Sequence, residues 1–265
     1  MKKINTIILT ILTLLLITSC DNVSLDERLE YVEPPEVGRA VLIEDFTGQY
    51  CVNCPRATEE IERLIEEYGD SVVIPVAIHS GPFSKRNGEF TPLYTEVGDL
   101  YFNRWNLSSQ PVGLVDRLFG SMPLAYTDWA GGVNYEIAVK APVSFMTSID
   151  YDDDTRQASF EVQTIGLDSA RVSGKLQVWL VEDSIDSFQL MPDGSTAEHY
   201  NHMHVFRASV NDPWGEDVSV DHGEVVVKNY NFAMDPAWVP EHCAFVVFLY
   251  DESGVRQVAK KKLTY

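Results

Sequence analysis

Residues 41–61 read VLIEDFTGQYCVNCPRATEEI, and the reading of this stretch decides the fold. Val41, Leu42 and Ile43 open an apolar strand that runs into a short polar loop. Cys51 and Cys54 follow, two residues apart, and Pro55 suits a first helical turn, where its missing N–H costs nothing. Ile61, Leu64, Ile65 and Tyr68 then recur at i, i+3, i+4 and i+7 as one apolar helical face. Glu59, Glu60, Glu62, Arg63, Glu66 and Glu67 take the solvent side, and Gly69 closes the helix. A second apolar run, Ser71 to His79, completes a strand–helix–strand unit whose crossover should be right-handed. Pro75 in that run cannot donate to a ladder, so an edge or a bulge is expected there.

Two thiols at the start of a helix lie within reach of one disulfide, and the partial positive charge of the helix end favours a thiolate. Arg56 adds to that field, while Glu59 and Glu60 oppose it. Two other uses of the pair remain open. A permanent staple is one, although so short a loop constrains the unfolded chain by less than the ~3 kcal/mol of a fifteen-residue loop. A metal site is the other; it needs two further ligands, and His79 is the nearest in sequence.

Toward the N-terminus, Lys2 and Lys3 precede an apolar or hydroxyl run from Ile7 to Ile17, too short for a comfortable membrane span and suited to a secretory signal. Its end, Ile17-Thr18-Ser19-Cys20, resembles the lipobox of bacterial lipoproteins, which implies a lipid anchor on Cys20 and attachment to a membrane through it. Residues 21–36, with Pro34-Pro35, read as an extended tether. The whole chain of 265 residues carries 40 acidic against 20 basic side chains, a formal charge of −20. Phosphate backbones would repel such a chain, so nucleic acid is excluded as a partner.

Toward the C-terminus, residues 93–105 read as a helix, Pro111 to Leu118 as a strand and 126–139 as a helix. After Ala141-Pro142 the texture changes to short alternating segments at 143–150, 158–164, 174–181, 202–210, 223–232, 244–250 and 255–263. Turn signals such as Asp193-Gly194 separate them, which suggests a β-sandwich with the domain boundary near Ala141. Cys243 lies in the continuous apolar run HCAFVVFLY and reads as a buried, inert thiol. His199, His202 and His204 read as a polar strand surface on which His202 and His204 share a face, and Asp152-Asp153-Asp154 as a solvated turn. No cofactor or metal is expected.

The first region resembles the thioredoxin fold. Asp45 stands six positions before Cys51, Tyr50 immediately before it, and Pro111 sits in Gln-Pro-Val-Gly just before a strand. The resemblance implies that Cys51 is the more exposed, attacking thiolate and that Cys54 resolves the mixed disulfide. It further implies that Asp45 is a buried proton relay of raised pKa and that Pro111 is a cis-proline facing the disulfide. The dipeptide between the cysteines, Val52-Asn53, leaves the redox direction open.

As a whole the chain resembles the Omp28-related outer membrane lipoproteins. The stretch EDFTGQYCVNCPR, the segment VEDSI at 181–185, Tyr200-Asn-His202 to Arg207 and Trp214-Gly215-Glu216 carry the likeness. The expected architecture is a signal peptide at 1–20, a tether at 21–36, an α/β thioredoxin-like domain at 37–141 and an all-β, Ig-like sandwich at 142–265. The expected function is thiol–disulfide exchange with exported proteins at the outer membrane. The alternative is a non-catalytic binding or assembly lipoprotein with a structural disulfide, whose sandwich recruits another envelope protein.

Overall fold

Parity along the first strand organises the chain. In a computed structural model, which describes residues 38–84 and 92–264, β1 spans Val41–Thr47 and every residue in it is buried. The signal, the tether and Cys20 lie outside the described residues. Successive side chains of a strand point to opposite faces. Val41 and Ile43 accordingly pack with α1 (Cys54–Tyr68) through Ala57, Ile61 and Leu64. Leu42 and Phe46 enter a second core on the other face, with Ile74, Val76, Tyr101 and Phe102.

After α1 the chain forms β2 (Val73–His79), parallel to β1, then α2 (Glu96–Arg104) and β3 (Val112–Val115), antiparallel to β1. The helix α3 (Trp129–Ile137) joins α1 on its face of the sheet through Trp129 and Val133. Pro75 sits in an unbroken register opposite Ile43. On its other side β2 pairs at Ala77 alone, with Val205 of β9 (Val205–Ser209), so the ladder that Pro75 would interrupt is not built.

The remaining chain is almost entirely strand: β4 (Val143–Asp152), β5 (Gln157–Gly166), β6 (Val172–Glu182), β7 (Ile185–Leu190) and β8 (Thr196–His202). It continues as β9 (Val205–Ser209), β10 (Glu216–Val220), β11 (Val225–Ala233), β12 (Cys243–Asp251) and β13 (Gly254–Lys262). The result is β-rich, with few helices. One mixed sheet of eight strands runs in the order β13-β12-β6-β9-β2-β1-β3, with β10 also on β6. The segments on either side of Ala141, which itself falls between α3 and β4, thus share one sheet.

A three-stranded sheet, β11-β5-β4, faces β6 and β12 across a sandwich-like core of Val143, Phe160, Val162, Val178, Leu180 and Phe245. Phe160 and Phe245 stack there with ring centroids 4.6 Å apart. Cys243 opens β12 as a free, buried thiol, which burial pushes up to about 12. Strands β7 and β8 form a separate two-stranded sheet.

Candidate functional site

Cys51 and Cys54 are joined in a disulfide with a Cα–Cα distance of 5.3 Å. Cys54 is the first residue of α1, and its N–H donates to the Cys51 carbonyl at 3.2 Å. The loop before them is pinned at Gly48, where an added Cβ would lie 2.4 Å from the Phe83 carbonyl oxygen. The neighbouring Tyr50 N–H donates to that same oxygen at 2.8 Å. Glycine is therefore required at 48 by the close approach of backbone.

The expected exposure of Cys51 is not found: Cys51 is 3% exposed and Cys54 2%, although Tyr50, Val52 and Asn53 around them face solvent. The reason is the β7–β8 hairpin. Gln189 donates from Nε2 to the carbonyl oxygen of Cys51 at 3.1 Å, and the Leu190 N–H donates to the Gln49 carbonyl at 2.8 Å. Gln49, fully buried, returns two bonds, to Ser187 Oγ at 2.9 Å and to the Phe188 carbonyl at 3.1 Å. The rings of Tyr50 and Phe188 lie 5.1 Å apart beside them.

Asp45 shares strand parity with Val41 and Ile43, so it points toward α1. It is 1% exposed and its Oδ1 has no hydrogen-bond partner. Burial pushes its carboxyl up to about 8, which leaves it protonated at neutral pH. Asp45, Cys54, His79, Gln189, Tyr200 and His202 line one cavity of about 20 Å3, the size of a single water site.

Two histidines close the cavity. His202 ends β8, its Nε2 lies 3.2 Å from the Phe188 carbonyl, and its ring packs on His79 with centroids 5.2 Å apart. Burial holds His202 down at about 4. His79 lies well below the ordinary imidazole range, through burial and then the neighbouring His202. The expectation that His202 and His204 share a strand face is corrected. His204 lies between β8 and β9 with φ 56°, its amide donates to Asp183 Oδ1 at 2.6 Å, and its ring turns to the same carboxylate. His199 instead pairs with Asp186 at the surface, at 2.8 Å. Asp152 caps its own turn through the amides of Asp154 and Thr155.

The Gln110–Pro111 peptide is cis, as the resemblance implied. Gln110 donates to the carbonyls of Thr47, at 2.6 Å, and Ser80, at 3.0 Å, which ties the start of β3 to the C-terminal ends of β1 and β2. Sequence reading missed Gln49 and Gln189, and it named Tyr200 and His202 without placing them beside the disulfide. The signal available was Asp193-Gly194, a hairpin turn with short strands on either side. A larger cleft of about 610 Å3 lies elsewhere, beside Trp105, Lys175 and Tyr250, and no cysteine or histidine lines it.

The described residues thus form a β-rich chain with a buried disulfide at a helix start and a sandwich-like C-terminal half. The chain belongs to the Omp28 family: the model described as outer membrane protein Omp28 matches residues 98–265. Its place is accordingly the outer membrane of the bacterial cell envelope. The match takes in the hairpin and the sandwich and begins after Cys51 and Cys54. Among solved structures, HBP35 of Porphyromonas gingivalis superposes with a TM-score of 0.65 at 14% identity, covering 85% of this chain and 76% of that one. Protein AGR_C_4864 from Agrobacterium tumefaciens gives 0.53 at 16% identity, over 86% of this chain and 96% of that one. A domain of the outer membrane lipoprotein Omp28 from Porphyromonas gingivalis is 24% identical, with a TM-score of 0.34, over 47% of this chain and 89% of the domain. No curated protein matches the chain.

Proposed function

We propose that this protein is anchored to the outer membrane through a lipid on Cys20 and exchanges disulfides with exported proteins at Cys51 and Cys54, within a thioredoxin-like frame. The frame reading draws on parallel β1 and β2 joined by α1, with antiparallel β3 beside β1 and a cis-proline at its start. The observation that carries the chemistry is Asp45. A buried carboxyl with an unpartnered oxygen weakens the fold, and a mere staple gives no reason to keep one in the cavity that holds Cys54.

In the oxidising half-reaction, which leaves the protein's pair reduced, a substrate thiolate attacks Cys51 Sγ. The Sγ–Sγ bond breaks, and its electron pair leaves on Cys54, which takes the proton of the neutral Asp45 carboxyl. A second substrate thiolate then attacks the substrate sulfur of the mixed disulfide and expels the Cys51 thiolate. The substrate dithiol loses two electrons and becomes a disulfide, while the protein's pair gains them. The reverse sequence reduces a substrate disulfide.

With a peptide disulfide as probe, the reduced Cys54→Ser variant should accumulate a mixed disulfide at Cys51, and Cys51→Ser should accumulate none. Absence of both exchange by the intact protein and trapping by Cys54→Ser would rule the reading out. The burial of both sulfurs favours a second reading: a structural disulfide on a lipoprotein that binds another envelope protein through its C-terminal sandwich. A very negative reduction potential for the pair would select it.

A further inference from the structure

The geometry points to the seat of the β7–β8 hairpin as the docking groove for the substrate, which we infer to be an extended, neutral or basic polypeptide segment that takes the hairpin's place. The inference rests on the exchange reading and names its substrate class. Above the disulfide, the loop presents the carbonyl oxygens of Gln49 and Cys51 as acceptors, and a backbone amide and a side-chain amide of the hairpin now fill them. An extended chain supplies a row of backbone N–H donors to such carbonyls, the mode by which peptides add to an exposed backbone edge. A small disulfide or thiol offers too few donors to replace them.

The occupant is built to be displaced. The hairpin is a two-stranded sheet, a unit of marginal stability by itself. Besides the loop contacts, it is held by His202 on His79 and by a small cluster of Ile185, Leu93 and Val205. Phe188 already fills the position beside Tyr50 that a substrate side chain would take. The charge preference follows from Glu59 and Glu62, exposed carboxylates of α1 whose negative charge reaches Tyr200 on the hairpin.

The test compares two thiols of equal intrinsic reactivity against the oxidised full-length protein: N-acetylcysteine amide and an unstructured, neutral octapeptide containing one cysteine. Loss of the Cys51–Cys54 bond is followed by rapid acid quench and mass analysis. The peptide should form the mixed disulfide at Cys51 about tenfold faster than the amide. In Phe188→Ala, which loosens the hairpin, the amide should itself gain about tenfold. Equal rates for peptide and amide, with both reacting, overturn the groove and leave exchange standing. No reaction of either thiol with wild type or Phe188→Ala overturns exchange and the groove with it.

Discussion

Glu44 and Asp45 are neighbours on β1, both buried carboxyls, and the chain treats them in opposite ways. Glu44 points into the core shared by α2 and the long sheet, where it meets Arg117 from Nε at 2.6 Å and from Nη2 at 3.3 Å. The Arg117 guanidinium lies 4.3 Å from the Tyr250 ring and 5.0 Å from that of Phe248, so both charges are enclosed and paired, with Nη1 alone lacking a hydrogen-bond partner. Asp45 points the other way, toward α1 and Cys54, with an unpartnered oxygen and a cavity in place of a cation. One carboxyl is structural because its charge is matched. The other, with no cation to face, keeps its proton at neutral pH and so has one to give.

Breaking the first arrangement should have the larger effect on stability. Glu44→Ala leaves the Arg117 guanidinium buried without its partner, a loss of about 3–5 kcal/mol readable as a lowered denaturation midpoint. Asp45→Asn should act in the opposite direction and only as pH rises. The Asp45 carboxyl ionises near 3.8 when the chain is unfolded and near about 8 when folded. The folded state therefore holds the proton longer, and wild-type stability falls as pH climbs between those values. The variant lacks that term, so its advantage over wild type should widen across the window by at most about 1.4 kcal/mol per pH unit. Asp116, which burial pushes up to about 7 against the pull of Arg39, titrates in the same range in both proteins and cancels in the difference.

How much of this could be read from residue types follows the same division. The β1–α1–β2 unit was legible because its burial is carried by apolar side chains at strand and helix periods. Most sandwich strands were legible for the same reason, and Cys243 fell where its apolar run put it. The hairpin was not. Among its inward residues, Ser187 and Gln189 are buried because they bond a loop some 140 residues away, and His202 because its ring packs on His79; polar side chains carry no periodic sign of that. The strand β10, five residues long with only Val218 and Val220 inward, was equally silent. Arg117 finds Glu44 across a separation of 73 residues, which a single sequence does not display.

The proton transfer from Asp45 to Cys54 is the central step of the proposed exchange, and one kinetic profile tests it most directly. The rate at which N-acetylcysteine amide opens the Cys51–Cys54 bond, divided by the fraction of attacking thiolate, is measured against pH for wild type and Asp45→Asn. The wild-type quotient should stay level at neutral pH and fall as pH passes about 8, where the carboxyl loses its proton. The variant should be slower and flat. Two superimposable profiles would contradict the account.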